Sequence, residues 1–241
     1  VFSSKKSVPA PAASGPAINL SEVPAGLVSV TKSAAVSLEK SGLTGQRAAV
    51  YLVLDHSGSM VPFYQDGSVQ RLAEQALGLS ANLDDDGVVP LVYFGSYVEH
   101  LTDVELSSHQ GAVSRSHGAV HWGSTNYAAA INYVVEAHGA AGAPALVIFQ
   151  TDGEPDSREQ VETALRSASE WPLFFAFVGF GPERNMRFLK KLDNLKGRQV
   201  DNASFFHAAD PHSVSDAALY DGITHEYAGW LAAASAAGIV R

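Results

Sequence analysis

A chain of 241 residues, 46% of them hydrophobic, carries enough apolar surface to bury one substantial core with tails to spare. Its formal charge of −9 and pI near 5.4 repel phosphate backbones, and no Lys/Arg stripe is seen to offset this locally, so nucleic acid is not expected as a partner. The absence of cysteine removes disulfides, thiolate catalysis and Cys-ligated zinc, and no apolar run approaches the roughly 20 residues that span a bilayer, so a soluble chain without a membrane span is expected.

Val1 opens the chain with no basic-then-apolar leader, which leaves room for sequence upstream. Residues 1–26 are rich in Ser, Pro and Ala without a period that buries a face, and a flexible arm is expected there. In residues 27–47 the alternation of Val28 and Val30, then Val36 and Leu38, predicts a short strand segment or hairpin turning at Lys32 to Ala35. The regular domain is expected over 48–241. It opens with Ala49 to Leu54, a continuous apolar run of the kind buried on both faces of a parallel sheet. Val69, Leu72, Ala73, Ala76, Leu77 and Leu83 then recur at helical spacing, ending at the acidic turn Asp84 to Gly87. Val89 to Phe94 predicts a second strand, and a polar stretch follows. Asn126 to His138 predicts a helix, Ala145 to Gln150 a strand, Asp156 to Glu170 a helix, and Leu173 to Val178 a strand. Glu183 to Leu195 (helix), Ala203 to Phe206 (strand) and Ser213 to about Ala236 (closing helix) complete the chain. This alternation predicts an α/β fold, a Rossmann-like, doubly wound and mostly parallel sheet with helices on both faces.

In such sheets ligands collect outside the carboxyl ends of the strands, where the winding reverses. Asp55-His56-Ser57-Gly58-Ser59 follows the first strand and places a carboxylate and two hydroxyls at alternate positions on a tight loop. Thr125, just before a helix, and Asp152, just after a strand, add two more oxygens. Asp55, Ser57, Ser59, Thr125 and Asp152 are therefore the candidate metal ligands. An all-oxygen set of two carboxylates and three hydroxyls suits a hard cation such as Mg²⁺, which keeps water readily.

The segment Val50 to Met60 resembles the opening strand and DxSxS motif of von Willebrand factor A domains, and Gly123-Ser124-Thr125-Asn126 with Thr151-Asp152-Gly153 is similar to that family's threonine and second-aspartate motifs. Ser124 stands where many members carry Gly. The resemblance runs from about Ala48 to the C-terminus. It implies a Mg²⁺ (alternatively Mn²⁺ or Ca²⁺) held by Ser57, Ser59 and Thr125, with Asp55 and Asp152 helping through water. It also implies a protein partner whose acidic side chain completes the metal shell. Asn82 to Gly87 and the long closing helix resemble the intracellular branch containing copines and bacterial tellurium-resistance (Ter) proteins. That likeness implies a cytoplasmic, stress-related role. Val28 to Lys32 and Val36 to Lys40 resemble the opening of TerD-type stress proteins, but Ser33-Ala34-Ala35 replaces their Gly-Gly-Asn, so their calcium sites do not carry over.

Other features read as structural. Asp84-Asp85-Asp86 is expected as a solvated turn rather than a calcium site. His117 and His121, four apart but outside any helical pattern, are expected at the rim of the metal face rather than on zinc, with His121-Trp122 available to a partner. Tyr220, Ile223, Tyr227 and Trp230 fall at helical spacing and are expected in the core. Asn202-Ala203-Ser204 fits a glycosylation pattern but lies against a predicted strand. The alternative to a binding module is a Mg²⁺-dependent phosphohydrolase with Asp55 as nucleophile. That chemistry calls for a second aspartate two residues on, where this chain has Ser57; the Walker A pattern and the G-x-S-x-G elbow are also missing.

Overall fold

A computed structural model describes residues 15–139 and 142–240. In chain order its main elements are α1 (Val28–Lys40), β1 (Ala49–Asp55), α2 (Val61–Gln65), α3 (Ser68–Leu83), β2 (Val88–Phe94), β3 (Val98–Glu105), α4 (Ala112–Ser116), α5 (Tyr127–His138), β4 (Ala145–Thr151), α6 (Arg158–Ala168), β5 (Leu173–Phe180), α7 (Arg187–Asp193), β6 (Ala203–Ala208), α8 (Asp216–Thr224) and α9 (Tyr227–Ala236). The strands form one sheet in the order β3-β2-β1-β4-β5-β6, parallel except for β3, which runs antiparallel to β2. β1 and β4 are neighbours although β2, β3 and the helices α2 to α5 separate them in sequence, so the reversal point lies between their carboxyl ends.

Side chains alternate across each strand, and the sheet separates two cores. Val50, Leu52 and Leu54 of β1 face a layer formed by α1, α3, α8 and α9, whereas Ala49, Tyr51 and Val53 face α5, α6 and α7. β1, β4 and β5 are buried at every position, as expected of parallel strands covered on both sides. Each fully buried Leu or Phe among them contributes about 1.5–3 kcal/mol of transfer free energy. Among the described residues no helix is long and apolar enough to cross a membrane.

The N-terminal segment departs from the expected strand or hairpin at 27–47. Residues 28–40 form α1, whose buried Thr31, Ala34 and Leu38 continue from Leu27 at helical, not alternate, spacing; Val36 is half exposed. Tertiary packing decides the matter, since α1 lies across α3 and α8. The crossing over α3 is close: a Cβ on Gly78 would come within 2.8 Å of Val30 Cγ2 and 3.0 Å of the Val30 carbonyl carbon. Asn82 Nδ2 donates to the Thr31 carbonyl (3.1 Å), and Ser37 Oγ donates to Asp221 of α8 (2.5 Å). Lys40 pairs with Asp221 at 3.2 Å. Within the expected arm, residues 1–14 lie outside the described residues. From Gly15 on the chain is ordered against the fold, with Ile18 and Val23 buried and the Ile18 N–H donating to the Ala81 carbonyl at 2.9 Å.

Two other expectations are corrected. The closing helix is broken at His225–Glu226 into α8 and α9, although Tyr220, Ile223, Tyr227 and Trp230 are all buried as expected. In the acidic turn Asp85 and Asp86 are exposed, but Asp84 is fully buried where α3 ends. Asn202 and Ser204 are buried too, so the sequon is closed to a glycan.

Candidate functional site

The carboxyl ends of β1 and β4 bring two of the motifs together. Asp55, the last residue of β1, is fully buried; its Oδ1 accepts the Ser57 N–H (2.8 Å) and its Oδ2 accepts the Thr151 hydroxyl (2.6 Å). The first bond curls the loop back on the aspartate, and a 3-10 turn at Gly58–Met60 follows. Ser57 Oγ and Ser59 Oγ thereby lie 3.2 Å apart, and Ser59 Oγ donates to Asp152 Oδ1 at 2.9 Å. Asp55, Ser57, Ser59 and Asp152 thus form one connected polar group.

Thr125 arrives on a separate loop, fixed from both sides. Gly123 forms a parallel bridge with Ser57, its N–H donating to the His56 carbonyl at 3.2 Å. Only glycine fits, because a Cβ there would sit 2.3 Å from the backbone nitrogen of Ser96. Asp156 holds the other side: Oδ2 accepts the Ser124 hydroxyl (2.6 Å), Oδ1 accepts the Thr125 N–H (3.0 Å), and the Asp156 N–H donates to the Thr125 carbonyl (3.0 Å). Asn126 then caps α5 through the Ala129 N–H. Among the described residues the Thr125 hydroxyl has no hydrogen-bond partner, and its loop is joined to the Ser57 loop through the Gly123–Ser57 bridge.

The electrostatics fit a cation. Burial pushes the Asp55 carboxyl up to about 7, against the lowering effect of its bonds from Thr151 and Ser57, and nearby Asp152 raises it further. Burial also raises Asp152, partly offset by Ser59. Among the described residues neither carboxylate forms an ion pair, so two buried acids share a pocket of hydroxyls without a counter-charge. A hard divalent ion is the group such a donor set accommodates.

Several functional residues were not singled out in the sequence. Thr151 is linked in turn to Tyr127, whose hydroxyl lies 2.8 Å from Thr151 Oγ1 and also meets the Gly153 carbonyl. Asp156 clamps the threonine loop. His56, between the two motif positions, is buried and stacks on Trp122 at 3.7 Å between ring centroids, with Tyr64, Tyr93 and His117 around it. Burial lowers its pKa to about 4, so the ring is neutral and packs as an aromatic under the loop. Trp122 remains 43% exposed and His121 is more open still, pairing with Glu99 at 3.3 Å; His117, also expected at the rim, instead packs into the ring cluster with His56 and Tyr64. Among the described residues no group of three or more His, Cys, Asp and Glu is placed to hold a metal, and His117 and His121 build no zinc site.

Residues 47–240 match the family model described as the von Willebrand A domain found in the C-terminus of TerF. The chain belongs to the TerF-like von Willebrand A family. The Bacillus subtilis (strain 168) protein YcbR is 34% identical to this von Willebrand A protein over 219 residues, 87% of this chain and 88% of that one. Among solved structures it is similar to the manganese-loaded TRAP protein of Plasmodium vivax, with a TM-score of 0.51, 20% identity and coverage of 73% of this chain and 74% of that one. Proximal thread matrix protein 1 of the mussel byssus has a TM-score of 0.50 and 14% identity, over 74% of this chain and 47% of that one. At such identities the likeness is one of fold, and it supports the Rossmann-like, mostly parallel architecture of this von Willebrand A domain.

Proposed function

We propose that this von Willebrand A domain is a divalent-cation-dependent protein-binding module without catalytic activity. Ser57, Ser59 and Thr125 supply hydroxyl ligands, and Asp55 and Asp152 act at least partly through water. The observation that carries the reading is the contact of Ser59 Oγ with Asp152 at 2.9 Å and with Ser57 at 3.2 Å, which unites motifs 93 residues apart at one polar point. The bound ion supplies a hard, positive site for an anionic oxygen. Because three of the five donors are neutral, much of that charge is left for a partner carboxylate. Thr125, held by Asp156 and Gly123, shapes the side that receives it. Mg²⁺ is the expected ion, with Mn²⁺ and Ca²⁺ as alternatives; the manganese-loaded TRAP structure makes Mn²⁺ the natural probe.

TerF-like membership supports a place in a tellurium-resistance or stress-response system, acting in the cytoplasm. A tellurite-tolerance assay on a strain lacking the gene tests that placement, and unchanged tolerance would refute it. The phosphohydrolase reading is disfavoured by the position of Asp55, which is fully buried and whose two carboxyl oxygens already accept the Ser57 N–H and the Thr151 hydroxyl, an arrangement ill suited to a nucleophile. Calorimetry with Mn²⁺ and Mg²⁺ tests the metal centre: Asp152→Ala should weaken binding by about tenfold or more. Binding equal to that of the parent would place the ion elsewhere. For partner capture, recovery should require Mg²⁺ and be lost in EDTA and in Thr125→Ala. Equal recovery by the parent and by Thr125→Ala, each with Mg²⁺ and with EDTA, would show that another surface binds.

A further inference from the structure

Residues 183–198 carry six of the sixteen Lys and Arg residues of this acidic chain and only two acidic residues. The segment starts at the metal face. The loop after β5 lies beside the loop after β4, because Thr151 pairs with Gly179, and Asn185 Nδ2 donates to the Asp152 carbonyl at 3.3 Å. Arg184 and Arg187 flank that contact, the latter as the first residue of α7. α7 then runs back antiparallel to the strands, carrying Lys196 to the opposite end of the sheet.

Ion pairing within the fold is uneven along this segment. Lys190 pairs with Glu183 (2.6 Å), Lys191 with Glu162 (2.5 Å), and Arg198 with Asp201 (2.7 Å). Near the site Arg158 pairs with Glu154 at 2.8 Å while its guanidinium lies over Phe188. Arg184 and Arg187 are exposed, and among the described residues neither has an ion-pair or hydrogen-bond partner. The opposite rim is acidic: Asp156 supports the Thr125 loop and Glu99 accepts the His121 N–H. Among the described residues, the loop after β5 thus brings two guanidinium groups without an ion pair beside the site, whereas the Thr125 side is held by carboxylates.

We propose that this face selects an acidic protein segment bearing a second carboxylate beside the one offered to the metal, and that Arg184 and Arg187 receive it. The proposal rests on the metal-dependent reading above. The planar guanidinium fork matches a carboxylate in a bidentate manner, and at an exposed rim such a pair adds selectivity more than bulk affinity. It also gives an acidic protein a local means of attracting an acidic partner, over about a Debye length.

The test uses the full chain in Mg²⁺ and two blocked peptides, Gly-Asp-Gly-Gly-Gln-Gly and Gly-Asp-Gly-Glu-Glu-Gly, titrated by NMR at low and high NaCl. The parent should prefer the second peptide by about 3- to 10-fold, and the preference should shrink at high salt. Arg184→Glu and Arg187→Glu should each lose most of it. Lys196→Glu, with the same change of net charge at the far end of the sheet, should keep it. Calorimetry with Mn²⁺ separates the two readings. Failure of the parent to bind Mn²⁺ refutes the metal centre itself, whereas normal Mn²⁺ binding without a preference for the acidic peptide refutes only the arginine rim. Equal loss in Lys196→Glu, or no binding of either peptide at millimolar concentration, also overturns the proposal. So does displacement of the acidic peptide by a single-stranded oligothymidylate at equal concentration, because the surface would then be reading phosphate.

Discussion

Replacing Asp55 by Asn should make the metal-free protein more stable at alkaline pH while abolishing cation binding. Burial moves the Asp55 carboxyl from its ordinary 3.8 to about 7. Between those two values the folded chain holds the proton more tightly than the unfolded chain. Stability contributed by this group is therefore full below 3.8 and falls as pH rises towards 7, levelling off above it. At about 1.4 kcal/mol per pH unit, the ionised carboxylate costs the folded state about 4 kcal/mol above neutrality. Asn carries no charge. Its Oδ1 keeps the Ser57 N–H, but its amide faces the Thr151 hydroxyl that Asp55 accepts at 2.6 Å, and this mismatch costs about 1 kcal/mol. The expected gain is about 3 kcal/mol at about pH 8.5 in EDTA, shrinking to nothing or slightly reversing as pH falls towards 4. Urea unfolding of both proteins at several pH values measures it. Mg²⁺ at about 100 times its Kd should stabilise only the parent, by about 2.7 kcal/mol, and nearly close the gap. A variant less stable than the parent in EDTA at alkaline pH would refute the reasoning, because Asp55 would then not be an uncompensated buried acid.

Three further outcomes are expected. Chelation of the parent should lower its melting temperature by roughly 5–10 °C without unfolding it, because the donors lie at the rim of a sheet whose core is apolar; cooperative unfolding in EDTA at room temperature would contradict this. Gly123→Ala should cost about 1–3 kcal/mol and weaken Mn²⁺ binding in calorimetry, because the added methyl meets the Ser96 backbone nitrogen at 2.3 Å and must push the Thr125 loop outward. Unchanged binding would show that the loop position is not critical. Gly78→Val should detach α1 from α3 and raise the amide exchange of residues 28–40 with little effect on Mn²⁺ binding; unchanged exchange would show that the crossing tolerates bulk.

What the sequence revealed follows from how local each signal is. β1, β4 and β5 were legible because strands buried on both faces need unbroken apolar runs, and Asp55, Ser57, Ser59 and Asp152 were legible because each directly follows such a run. β3 was not, since this antiparallel edge strand buries only Val104 and so shows no apolar alternation. The alternating valines of α1 suggested a strand because the helical stripe there includes polar Thr31 and Ser37: Thr31 Oγ1 donates back to the Leu27 carbonyl four residues earlier, while Ser37 finds its partner, Asp221, far along the chain. Thr151 and Asp156 gain their roles by contacting residues 96 and about 30 positions away, which no local pattern announces. The basic run at 183–198 was open to inspection, but its meaning depends on Asn185 reaching Asp152, and net charge alone pointed the other way.

The seam between α1 and α8 also sets an order of events in time. Ser37 reaches Asp221 across 184 positions, so α1 finds one of its two supports only after the residues between them have been synthesised. At about 5–20 residues per second that wait is roughly 10–40 s on the ribosome. During it, Leu27, Ala34 and Leu38 can be covered by α3 but not yet by α8.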